Sequence, residues 1–177
     1  SYMLRLSHAL GDLDDPAEIR KRGMRMLAHE LGVDRASLSE VDMKAGCAKQ
    51  RFEYRRGTSG SGAEVAHELR ECGHAIGMLQ RGMPLVLDDL LGPSGTAACD
   101  VSAEVLRHCL DGYRAQLTVP ILRGGALAAV VSLWHHAPHR WTADEIATAQ
   151  ESEVRTFEAL RRARAEAARR TAEARHR

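Results

Sequence analysis

The sequence predicts a fold that is α/β in content and α+β in arrangement, with a central antiparallel sheet of five or six strands and helices at both ends. Three observations carry this expectation. Residues 116–122 and 126–133 form two runs rich in β-branched and apolar side chains, separated by Arg123-Gly124-Gly125, and consecutive glycines supply the positive φ values of a tight hairpin. Both runs are too apolar for a ribbon with one wet side, so the hairpin is expected to lie centrally in a sheet covered on at least one face. From Thr142 to Arg177 there is neither Gly nor Pro, and Thr142 followed by Ala-Asp-Glu has the capping-box pattern that opens a helix.

The remaining elements follow in chain order. Tyr2–Leu10 places Met3, Leu4, Leu6 and Leu10 as in a short amphipathic helix. Gly11 to Asp15 interrupts it, and Pro16 suits the first turn of a second helix with Asp15 as its cap. That helix runs to about Leu31, lined by Ile19, Gly23, Met26, Leu27 and Leu31, and stops at Gly32. Arg35–Asp42 alternates as a strand, with Ala36, Leu38 and Val41 against Ser37, Ser39 and Glu40 in imperfect register. Cys47–Arg55 is a second strand, reached through a turn around Ala45-Gly46. Gly57–Gly62 (GTSGSG) is loop. Glu64–Arg81 is expected to be helical, weakened by His67, Cys72 and Gly73. Pro84–Asp88 is a short strand, Leu91–Asp100 loop, and Ser102–Leu110 a helix capped by Asp100 or Ser102.

In the tail, Ile146, Val154, Phe157 and Leu160 start an inner stripe that decays to Ala163, Ala167 and Ala174, and from Arg155 onward eight arginines face three glutamates. A helix over Thr142–Arg177 would span about 54 Å at 1.5 Å per residue, more than the ~30 Å of a small domain. Residues 1–13 are therefore expected to be an N-terminal signalling helix, 14–150 the domain body, and 151–177 a projecting helix that pairs with its copy in a parallel homodimer. The expected seam runs from Ile146 to Leu160, so Glu at Phe157 and Leu160 should give a folded monomer.

Composition excludes several classes of function. The 177 residues suffice for one domain with a proper core. A net charge of +1 and 4% aromatic residues give no footprint for nucleic acid. No apolar run approaches the ~20 residues that span a bilayer, and no signal peptide is present, so no membrane insertion and a cytoplasmic location are expected. Cys47, Cys72, Cys99 and Cys109 are scattered without a CxxC and read as free thiols in a reducing compartment. The chain begins with Ser1, which is expected of a piece of a longer protein or of a tag remnant.

The block AQLTVPILRGGALAAVVS, followed by PHRWTADEI, resembles the C-terminal half of a GAF domain. Asp15–Asp42 (DPAEIRKRGMRMLAHELGVDRASLSEVD) resembles the opening helix and first strand of that fold, and GMPLVLDDL its third strand. The similarity extends over roughly Asp14 to Leu160 and rests on the ordered succession of blocks. GAF domains are small-molecule-binding sensory modules, often placed upstream of histidine kinases, cyclases and transcriptional activators. The resemblance implies a bundle of the terminal helices on one sheet face. On the other it implies the helices and loops from Glu64 to Asp111, with a pocket between the sheet and the segment Leu85–Asp111.

Gln116 and Thr118 are polar residues inside an apolar strand run and share one strand face. Buried polar groups need partners, so both are expected to line the pocket, on the face away from the bundle. In bilin-binding members of the family a His at the end of the following strand, the run 126–133, points into the pocket, and His135 matches that position. Asp88 is expected at the pocket rim with Arg114 on the opposite segment, although caps and turn acceptors are the plainer role for Asp88-Asp89. His108 is expected near the same rim.

Other chemistries fit less well. His135, His136 and His139 form an HHxxH cluster, but adjacent strand residues point to opposite faces, so no metal site is expected. The Cys-His pair that carries a covalent bilin in cyanobacteriochromes is missing ahead of Gly112, where His108-Cys109 is reversed and too close to the strand. The purified chain is therefore expected to be colourless and to hold no cofactor beyond an unknown small molecule. The Cys-rich, Gly-rich signature of free methionine sulfoxide reductases is absent, and no phosphate-loop or dinucleotide motif occurs. The leading expectation is a non-catalytic sensory module feeding a downstream output domain. The alternatives are a cysteine-dependent methionine sulfoxide reductase, told apart by sulfurs within disulfide reach, and a ligand-free module that only dimerises.

Overall fold

The structure, a computed structural model, describes residues 1–58, 66–69, 74–92 and 111–177. Local chemistry starts and stops its helices. The first, α1, covers Tyr2–Gly11. The second, α2 (Pro16–Leu31), opens on Asp15, whose carboxylate accepts the Ala17 amide at 3.1 Å, and proline occupies the first turn, where no amide partner is lost. It closes on Gly32 at φ 63°, the left-handed conformation that a residue without Cβ adopts freely. A short α3 spans Ala75–Gln80. The last helix, α4 (Ala143–Arg175), has a complete capping box: the Thr142 hydroxyl accepts the Glu145 amide at 3.1 Å and the Glu145 carboxylate accepts the Thr142 amide at 3.0 Å.

The strands are β1 (Arg35–Asp42), β2 (Cys47–Arg55), β3 (Ala66–Glu68), β4 (Leu85–Leu87), β5 (Ala115–Arg123) and β6 (Ala126–His135). They form one antiparallel sheet in the order β3-β2-β1-β6-β5-β4. Gly124 and Gly125, at φ 59° and 80°, make the two-residue turn whose twist matches the flanking strands. That hairpin places β6 between β1 and β5 at the centre of the sheet. The continuous helix expected over Glu64–Arg81 is not formed. Residues 66–68 instead pair with Lys49, Ala48 and Cys47, and among the described residues of this stretch the α-helix is Ala75–Gln80. The edge of β2 presents backbone groups that a further strand satisfies, a pairing that local helical spacing does not reveal. The helix expected over Ser102–Leu110 lies outside the described residues.

Period-two alternation divides the sheet into two unlike faces. Ala36, Leu38, Leu117, Val119, Val131 and Leu133 pack against Met24, Leu27 and Ala28 of α2 and against Trp141 and Ala149. The terminal helices join this side through a second cluster of Leu6, Leu10, Ile19, Ala159, Leu160 and Ala163. The opposite face carries a smaller cluster of Ala75, Leu85, Leu87, Leu90, Tyr113 and Trp134. Much of the apolar stripe expected at a dimer seam is therefore satisfied within the chain, since Leu6, Leu10 and Leu160 are buried against one another. Leu4 and Val154 are the large apolar side chains of the terminal helices left exposed. The α4 helix packs on the body as far as Ala163; beyond it only Glu166 is half-buried.

The α2–α4 contact depends on a missing side chain. A Cβ on Gly23 would lie 2.7 Å from Thr156 Oγ1. Gly23→Ala is therefore expected to destabilise the fold by about 1–3 kcal/mol, even though alanine favours helix by ~1 kcal/mol. Urea denaturation checks this: a lower midpoint with unchanged slope is expected, and an equal or higher midpoint would show that the contact yields.

Candidate functional site

The face away from the helix bundle is polar across its middle. Alternation points Arg35, Ser37 and Ser39 of β1 to this side, and the register sets polar partners beside them. Ser37 stands opposite Glu53 and Ser132, Ser132 opposite Thr118, and Thr118 opposite Leu85. In the neighbouring row Arg35 stands opposite Trp134, Trp134 opposite Gln116, and Gln116 opposite Leu87. Arg35, Ser37, Ser39, Gln50, Glu53, Gln116, Thr118 and Ser132 are each at most 9% exposed.

Two networks share this band. Gln116 Nε2 donates to Thr118 Oγ1 at 3.0 Å, and the Thr118 and Ser132 hydroxyls lie 2.7 Å apart. Gln116 Oε1 is buried and meets no donor among the described residues. In the second network Arg35 Nε donates to Glu53 Oε1 at 2.6 Å and Arg55 Nε to the same oxygen at 2.7 Å. Gln50 bridges Arg35 and Glu53 at 3.4 and 3.5 Å. The Arg35 guanidinium also lies 4.3 Å from the Trp134 ring centre and 5.6 Å from that of Tyr113, a stacking that suits a desolvated cation. A buried network of this kind rigidifies the end of the band.

Between the band and an apolar wall of Leu69, Ala75, Ile76, Leu79 and Leu85 is a cavity of ≈ 60 Å³. It offers one unanswered acceptor, hydroxyls that donate or accept, and a guanidinium at one end. That set of groups is able to hydrogen-bond a small polar molecule. Among the described residues no group of three or more His, Cys, Asp or Glu is placed to hold a metal ion. Cys47 is half-buried and lines neither this cavity nor the larger one across the sheet. Cys72, Cys99 and Cys109 lie outside the described residues.

Gln116 and Thr118 thus stand together, but His135 does not join them. It pairs with Ala115 in the register and so takes the opposite face, while Trp134 holds the cavity position. A one-residue step along a strand reverses the side chain, which corrects the pocket placement expected for His135. Its ring lies between His139 and Trp141, at centroid distances of 4.3 and 5.1 Å, with Nδ1 3.9 Å from the Asp34 carboxylate. Burial first, and then the neighbouring His139, hold its pKa below the ordinary histidine value. His136 turns the other way and stacks on Tyr113 at 4.7 Å.

Asp88 also stands apart from the cavity. Its carboxylate accepts the Trp141 amide at 3.1 Å and its carbonyl the His139 amide at 2.9 Å, so it fastens the connection into α4. Leu85 and Leu87 are the β4 side chains that face inward, opposite Thr118 and Gln116, and Asp88 is a turn acceptor rather than a rim residue. Arg114 pairs with Asp89, not Asp88, through two bonds of 2.9 and 2.8 Å, and this pairing holds the Asp89 carboxyl below its usual range. His108 lies outside the described residues. Arg35, Gln50, Glu53 and Ser132 were not foreseen as site residues. Ser132 carries the signal that marks Thr118, a polar residue within an apolar run.

Comparison with protein families matches residues 15–152 to the GAF domain. No curated protein matches the chain. Solved structures of similar fold include the GAF domain of a phosphoenolpyruvate-protein phosphotransferase from Coxiella burnetii, 20% identical over 94% of this chain and 95% of that one, with a TM-score of 0.69. The corresponding GAF domain from Acinetobacter is 14% identical over 93% of each chain, with a TM-score of 0.70. A bacteriophytochrome from the photosynthetic bacterium R. palustris is 12% identical over 99% of this chain and 40% of that one, with a TM-score of 0.78. At these identities the likeness to solved structures is one of fold.

Proposed function

The chain belongs to the GAF domain family, and from that premise we propose that it is a non-catalytic sensory module of a larger signalling protein. It binds a small polar molecule on the Gln116 face of its sheet and transmits the change through its terminal helices. The observation that carries this reading is the buried, unanswered Gln116 carbonyl at the cavity. Leaving such a group unbonded costs about 1–3 kcal/mol, which a ligand donor recovers. A cavity of ≈ 60 Å³ is well below the ~300 Å³ at which pockets for drug-sized ligands begin, which favours a small metabolite over a bilin.

The route outward is short. Gln116 and Thr118 alternate with Leu117 and Val119 on one strand, and the latter two pack in the cluster that holds α2 and α4. The two ends of the chain are tied together by Tyr2 and Ser152, whose hydroxyls lie 3.0 Å apart, and by Arg162 Nη2 donating to the Leu10 carbonyl at 2.9 Å. The reading includes a homodimer formed through α1 and α4, supported by exposed Leu4 and Val154, and an output domain beyond α4. No helix among the described residues is long and apolar enough to cross a membrane.

Native mass spectrometry of freshly purified protein, with its ultraviolet-visible spectrum, tests all of this at once. A dimer retaining a small non-covalent adduct and showing no visible band is expected. A bare monomer at every concentration, or a visible band that survives acid denaturation, would overturn the reading.

A further inference from the structure

Across the sheet from the Gln116 cavity lies a second and larger one. It opens where the helix layer meets the ends of β1, β5 and β6, and where Ala129 stands opposite both Ile121 and Glu40. The small Ala129 side chain leaves space there, and the cavity between Met24, Leu38, Ile121, Phe157 and Leu160 measures ≈ 380 Å³. That volume lies in the range of small-molecule sites.

Its walls are apolar but its floor is not. Glu153 is 8% exposed and makes no hydrogen bond or ion pair with any described residue. Thr156, one helical turn on, is 6% exposed; its hydroxyl is enclosed against Gly23 of α2 and is also unpartnered among the described residues. Burying either group without a partner is unfavourable, and burying an ionised carboxylate far more so. No core-packing requirement accounts for a carboxylate here, because a neutral side chain of the same shape would fill the space.

The mouth has the opposite charge. Arg20 is committed to Glu40 at 3.6 Å, and Glu40 also accepts from Arg51 at 3.1 Å. Arg123 lies over the Phe157 ring at 5.0 Å and Arg164 lines the cavity; neither pairs with a carboxylate among the described residues. A cation alone would have to pass these arginines and leave them unanswered. An anion alone would leave the floor carboxylate without a partner, and an apolar molecule would satisfy neither end. Glu153 and Phe157, the residue beneath Arg123, are four positions apart, about 6 Å along the helix axis. We infer that this cavity binds a small zwitterion whose two charges are separated by a short apolar chain. Its ammonium group sits against Glu153, and its carboxylate against Arg123 and Arg164. This site is separate from the Gln116 cavity and does not depend on its having a ligand.

An amide-resolved NMR titration tests the inference with 6-aminohexanoate, hexanoate and hexylamine as probes. The zwitterion is expected to perturb the amides of residues 121–123 and 153–157 saturably, and to bind at least tenfold more tightly than either single-charge probe. Glu153→Gln, which keeps shape and removes the ionisable carboxyl that an ammonium group would draw into its charged form, is expected to weaken the zwitterion at least tenfold while leaving hexanoate unchanged. Arg123→Gln, at the mouth of the cavity, should weaken both carboxylate probes and spare hexylamine. Equal affinity for the three probes, no saturable change at millimolar concentration, or shifts centred on residues 116–118 would overturn the assignment.

Discussion

Replacing Glu153 by Gln is expected to stabilise the unliganded protein, and increasingly so as pH rises. Burial pushes the Glu153 carboxyl from the ordinary 4.5 up to about 8. The folded state therefore holds its proton more tightly than the unfolded state does. Stability from this group is greatest below pH 4.5, falls as pH rises through about 8, and is level above that. At ~1.4 kcal/mol per pKa unit, the penalty above the folded pKa is on the order of 3–5 kcal/mol. Gln fills the same volume without a titrating proton, so it removes the penalty. Arg20, Glu40, Arg123 and Arg164 around the cavity, and Tyr2 nearby, whose pKa burial raises to about 12, are common to both proteins. The difference between the two stability curves therefore isolates residue 153. Urea denaturation at pH 6, 7.5 and 9 measures it: the wild type should lose stability relative to the variant across that range, whereas parallel curves would contradict the account. A residue that weakens the fold and is nonetheless needed to hold a ligand is the usual sign of a site that trades stability for function.

Arg35→Met should have an effect of similar size and opposite sign. It removes the 2.6 Å partner of Glu53, a carboxylate only 5% exposed, and leaves it to the half-exposed Arg55 and to Gln50. Removing one member of a buried pair costs about 3–5 kcal/mol, because the other charge stays desolvated. The double variant Arg35→Met with Glu53→Leu should recover much of the loss, since an apolar pair of similar volume is often as stable as the ion pair it replaces. A single variant within about 1 kcal/mol of wild type, the ordinary worth of an exposed pair, would show that this network is not a buried one.

What could be read ahead of the structure was local. The Asp15 and Thr142 caps, the Gly32 stop and the Gly124-Gly125 turn are decided by a few adjacent residues, and their geometry in the fold matches the reading. Gln116 and Thr118 declared their buried face because they interrupt an apolar run. Ser37 and Ser39 looked instead like the wet side of an alternating strand. Only the layers packed on either side of the sheet, α2 on one face and the Leu69, Ala75 and Leu79 wall on the other, show that both faces of β1 are covered. Arg35 and Glu53 meet through the register that sets Ser37 opposite Glu53, and a sequence does not display register. His135 was misplaced because a family position one residue off in a strand changes the face. Glu153 and Thr156 sit on a helix rich in charge and read as solvated. Their burial depends on how closely Gly23 lets α2 approach α4 and on the space left beside Ala129.

The central claim, a ligand held at the Gln116 carbonyl, is most directly tested by identifying what the protein carries. Wild type and Gln116→Leu are purified in parallel and denatured, and the released small molecules are quantified by mass spectrometry. One polar species at near-stoichiometric amount from the wild type is expected, reduced at least tenfold in a variant whose circular dichroism is unchanged. No enriched species from the wild type, or the same amount from both proteins, would contradict it.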